Sequence, residues 1–109
     1  MNGLLTTEKI REQNLAFAGI SGVSQENSAK GFRAAFCDAL TGRAELARFS
    51  DGSPAPVHVL EGVPAAWVAR RDTAGRVSAV KKSIIAGFIR DGFFYTREQA
   101  AAAALQATR

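Results

Sequence analysis

Two apolar runs near the C-terminal end, residues 84–90 and 93–95, flank the dipeptide Asp91-Gly92. Asp-Gly between apolar runs predicts a type I′ hairpin, because both central residues of that turn need positive φ. The implied register sets Arg90 opposite Phe93, Ile89 opposite Phe94 and Phe88 opposite Tyr95. Phe88 and Tyr95 then share one face, and Ile89 and Phe94 the other. Apolar groups on both faces predict a core on one side and a helix or a partner on the other.

The same two-residue period runs through residues 32–37, where Phe32, Ala34 and Phe36 alternate with Arg33, Ala35 and Cys37. A turn over residues 38–42 and a second strand over 43–49 make a hairpin whose turn ends at Gly42. Ser50-Asp51-Gly52-Ser53 stops that strand, and Pro54 and Pro56 keep the chain extended without donating ladder bonds. Residues 57–60 are expected to add a short edge strand. After Gly62, Pro64 can open a short helix through Trp67 to Ala69, or lead into a strand over 67–70. Residues 72–75 have hairpin chemistry, with 76–80 as the returning strand.

Helices are expected at both ends. Thr6 or Thr7 can cap a helix over residues 7–18, with Glu8 at its positive end. Thr96 caps the last helix, and Gln99 stands where a capping box needs it, ahead of five alanines. Residues 19–31 read as a loop, with a helical turn from Ser24 open, and are a candidate binding loop. The expected fold is α+β: a small antiparallel β-hairpin meander with an N-terminal and a C-terminal helix. It is expected to form one domain over residues 1–109, frayed at 1–6 and 107–109.

Composition narrows the function classes. The chain is 47% hydrophobic, but much of that is alanine, which buries little area per residue. The large core candidates are Phe17, Phe32, Phe36, Phe49, Leu60, Trp67, Val77, Val80, Ile85, Phe88, Ile89, Phe94 and Tyr95, and a second copy would help so small a core. The net charge of +4 permits attraction to polyanions or acidic proteins without specifying either. Cys37 is the sole cysteine, so no disulfide forms within one chain. The apolar stretches are too short to cross a bilayer and the first residues do not resemble a secretory core, so no membrane partner and a reducing cytoplasmic location are expected.

Candidate chemistry is sparse. His58 is the sole histidine and Cys37 the sole thiol, and neither a metal site nor an acid–base pair can be built from them by spacing. Asp38, Asp72 and Asp91 occupy turn positions, where aspartate has a structural role. Lys82-Ser83 lacks the glycines of a phosphate loop. No catalytic, cofactor-binding or metal-binding residue is assigned, and no cofactor is expected. Arg70, Arg71, Arg76, Lys81 and Lys82 are candidate phosphate contacts should residues 67–70 and 76–82 lie side by side. Trp67, Phe88, Phe94 and Tyr95 are candidate interface residues. The expected function is a non-enzymatic protein-interaction or regulatory module, working with a protein partner or as a homodimer. The alternative is a nucleic-acid binder using the basic surface around residues 70–90.

Overall fold

The structure is a computed structural model describing residues 4–16 and 31–107, the side chains of residues 16 and 104–107 excepted. It is an α+β fold built from antiparallel hairpins, with one helix near each end. In chain order the elements are β1 (Leu5–Thr6), α1 (Thr7–Ala16), β2 (Arg33–Asp38), β3 (Ala44–Leu46), a 3-10 turn (Ala65–Trp67), β4 (Val68–Arg71), β5 (Val77–Val80), β6 (Ile84–Arg90), β7 (Phe93–Thr96) and α2 (Arg97–Ala107). The strands make two sheets, ordered β1-β5-β4 and β3-β2-β6-β7.

Local turn chemistry accounts for the hairpins. Asp91 and Gly92 have φ of 54° and 83°, and β6 pairs β7 as Arg90↔Phe93, Ile89↔Phe94 and Phe88↔Tyr95, the register expected of a two-residue type I′ turn. Between β2 and β3 the Asp38 carboxylate accepts the Leu40 N–H at 3.0 Å, and Gly42 takes φ of 79°. Between β4 and β5 the Asp72 carboxylate accepts the N–H groups of Ala74 and Arg76. Thr96 and Gln99 form the capping box of α2, each side chain bonded to the other's backbone N–H at 3.1 and 2.9 Å. Thr6 caps α1 through the Lys9 N–H.

Several expectations are corrected. Residues 57–60 lie outside the sheets, because Pro54 and Pro56 carry no N–H to extend a ladder. Only the bridge Arg48↔Pro54 forms there. Alternation nevertheless persists: His58 and Leu60 are buried, and Val57 and Val59 half-buried. The strand expected over 43–49 is cut to β3. Leu5 and Thr6 form a short strand that pairs with Val80 and Ala79. Both readings of the segment after Pro64 hold, since a 3-10 turn runs directly into β4. The meander is divided between two sheets, because β6 crosses over to pair with β2. The loop expected over residues 19–31, its helical turn and Phe17 lie outside the described residues, Gly31 excepted.

Two packed clusters hold the elements. Leu5, Ile10, Phe36, Leu60, Trp67, Val80 and Ile84 belong to the larger, which joins the two sheets and α1. Phe32, Phe88 and Ala100 form the smaller beneath α2, with Tyr95 and Ala103 packed against it. Phe32 meets Phe88 and Tyr95 edge to face, with ring centroids 6.1 and 5.2 Å apart. The Arg90 guanidinium lies 4.3 Å above the Phe32 ring. Phe49 and Ile85, expected in the core, are exposed.

Candidate functional site

The most concentrated polar chemistry is interior. His58 sits between Phe36 and Phe88, with ring centroids 5.5 and 5.2 Å away. Its Nε2 lies 2.7 Å from the Gly87 carbonyl and its Nδ1 3.0 Å from Nη2 of Arg97. A carbonyl only accepts and a guanidinium only donates, so Nε2 carries the proton and Nδ1 the lone pair. Arg97 also donates to Oδ1 of Asn14 at 2.8 Å, tying α1, His58 and α2 together. Burial, with the Arg97 charge beside it, holds the His58 pKa down to about 4, against the partial support of the Gly87 carbonyl. Burial also lowers the Arg97 pKa to about 10, leaving it charged at neutral pH.

This arrangement is a structural clamp that ties α1, the segment around His58 and α2 together. Both ring nitrogens of His58 are engaged, and an imidazole so hard to protonate is a poor base near neutral pH. Cys37 is buried on β2, where desolvation and the neighbouring Asp38 carboxylate raise its thiol pKa, opposite to the requirement of a nucleophile. Among the described residues no three of His, Cys, Asp and Glu come together as a metal site, and no helix is long and apolar enough to cross a membrane.

The candidate phosphate contacts divide. Arg70 and Arg71 are exposed on edge strand β4, and Arg76 is exposed just beyond the β4–β5 turn. The Arg71 guanidinium donates to the Gly75 carbonyl at 2.9 Å. The β4–β5 pairing anticipated from sequence is present. Lys81 and Lys82, however, stand at the far end of β5, about 16 Å of extended backbone from Arg76. Lys81 pairs with the Asp38 carboxylate at 3.5 Å. That carboxyl is held below the usual range by the Leu40 N–H, with a contribution from Lys81.

The candidate interface residues divide as well. Trp67 and Phe88, expected in the core as well as at an interface, are buried in the clusters above, and Arg43 lies 5.8 Å over the Trp67 ring. Phe94 and Tyr95 are half-buried on β7, and beside them Phe93, which the sequence reading passed over, is 68% exposed. With Gln99, Ala102 and Ala103 of α2 these three aromatics line a trough of about 450 Å³. Arg97 is a further site residue that local sequence pattern marks only weakly. Its signal was a cation at the first position of a helix, where the dipole disfavours one.

No protein-family model, curated protein or solved structure matches the chain. Among the described residues the α+β fold carries a buried clamp, an exposed aromatic surface on β7 and α2, and an exposed basic surface at the β4–β5 end.

Proposed function

We propose that the chain is a non-enzymatic interaction module that self-associates through β7 and the adjoining side of α2. The observation that carries this reading is Phe93, a large aromatic largely in water beside a trough floored by Phe94, Tyr95 and small alanines. Burying such a side chain is favourable by about 2 kcal/mol, and short alanine side chains let a second backbone approach closely. Light-scattering mass is expected to show a dimer that persists at high salt. Phe93→Ser, which removes the anchor from both protomers, is expected to weaken it by roughly a thousandfold, from about 2 kcal/mol at each aromatic anchor, and to leave the far-UV spectrum unchanged. A monomer at all concentrations, or a dimer indifferent to Phe93→Ser, would overturn the reading.

The second reading, nucleic-acid binding, is favoured by the three exposed guanidinium groups of Arg70, Arg71 and Arg76 at one hairpin end. Were this surface to neutralise phosphates, replacing all three by glutamine would reduce the slope of log affinity against log salt by about 2.7 for duplex DNA. Absence of any duplex-induced mass change at low salt would remove this reading and leave the first untouched.

A further inference from the structure

We propose that the cleft between α1 and the first turn of α2 binds a small monocarboxylate carrying a short apolar chain. The cleft exists because β7 ends early. Pairing of β6 with β7 stops at Gly87↔Thr96, where the chain turns into α2, so Ile84, Ile85 and Ala86 have no strand neighbour on that side. A space of about 380 Å³ remains there. It falls in the range of ligand sites, roughly 300 to 1,000 Å³.

Its chemistry is two-sided. Leu5, Ile84, Ile85 and Ala86 give it an apolar floor, and Ile85, the second residue of β6, is 38% exposed. Lys9 of α1 and Lys82 stand on the wall with Arg97, whose Nη2 is turned inward to Asn14 and His58, against a single carboxylate, Glu98. Backbone phase adds a donor. The Ala39 N–H bonds the Ser83 carbonyl at 2.8 Å, so odd-numbered residues of β6 turn their backbone groups toward β2 and even-numbered ones turn away. The N–H of Ala86 is therefore directed to the side where the cleft lies. The start of α2 adds the favourable end of its dipole.

Two outward lysines backed by the Arg97 charge, one opposing carboxylate and an apolar floor suit a small anion with a hydrocarbon body, such as a monocarboxylate. Lysine ammonium groups are point charges and impose no forked geometry, so a carboxylate is held by charge and by the Ala86 N–H while its chain covers Ile85. This site is separate from the aromatic trough and does not depend on self-association.

The test is calorimetric titration of the intact chain with butyrate, hexanoate and octanoate at low salt, alongside alcohols and amines of equal length. Carboxylate affinity is expected to rise about fourfold per added methylene until the floor is covered, and to exceed that of the alcohols and amines. Lys9→Gln with Lys82→Gln is expected to weaken it about tenfold, with thermal stability of the free protein unchanged. Phe93→Ser is expected to leave it unaltered. Equal binding of alcohols, retention of affinity in the double lysine variant, loss of it in Phe93→Ser, or no binding at millimolar octanoate would each overturn the proposal.

Discussion

Gly87→Ala is expected to lower the melting temperature by roughly 15 °C, from a destabilisation of about 3 kcal/mol. A Cβ on Gly87 would collide with the Tyr95 carbonyl oxygen and lie 2.5 Å from Cζ of Phe94. The Phe94 ring could swing aside, but the Tyr95 oxygen is backbone, fixed by the pairing Phe88↔Tyr95. Relief requires prying β7 from β6, which disturbs the start of α2 and the carbonyl that anchors His58. Several contacts thus fail together, which places the cost at the upper end for an added methyl group. Thermal denaturation by circular dichroism checks it. A fall of under about 5 °C would show that the β6–β7 edge yields without disturbing α2.

The same glycine shows where the sequence was readable and where it was not. The Asp91-Gly92 hairpin, the Asp38 and Asp72 turns and the Thr96–Gln99 capping box were legible because each is decided by residues within a few positions. Gly87, by contrast, read as an ordinary strand residue. Its constraint comes from the Phe94 ring and the Tyr95 oxygen, which the hairpin register brings close but does not by itself show crowding it. Pairing of β6 with β2 depends on side chains some fifty positions apart, such as Phe36 and Ala86, and local pattern gave no hint of two sheets. The clamp was least legible. Arg97 meets His58 across 39 positions and Asn14 across 83, and only its unfavourable place at a helix start marked it. The basic segment was visible as charge, but β5 splits it between two ends of a strand, which composition could not reveal. For the aromatics, propensity for burial and candidacy for an interface pull in opposite directions; packing put Trp67 and Phe88 inside and left Phe93 out.

Acidification from pH 7 to pH 4 is expected to remove about 3 kcal/mol of stability through His58 alone. Its pKa is about 4 in the folded chain against an ordinary 6.5, so between those values the unfolded chain binds the extra proton. Stability is nearly complete above pH 7, declines as pH falls through this window, and levels off through His58 about one unit below pH 4. Asp38 and Asp51, whose carboxyls are held below their ordinary range by N–H and hydroxyl donors, act lower still. Other charges near the ring are Arg97 on α2 and Glu61, Asp72 and Arg76 around the adjoining cavity. The decisive control is His58→Gln, whose amide can donate to the Gly87 carbonyl and accept from Arg97 without titrating. Its melting temperature is expected to stay nearly level between pH 6.5 and 4, while the parent falls by roughly 15 °C. Equal falls in both would assign the acid sensitivity to carboxylates instead. Protonation places the new proton on Nδ1, facing the Arg97 guanidinium, so the repulsion is borne by the link between the sheet and α2. That helix is mostly alanine and holds the sheet through a small cluster, so hydrogen exchange at pH 4.5 is expected to rise first in its amides, ahead of those in β2 and β6.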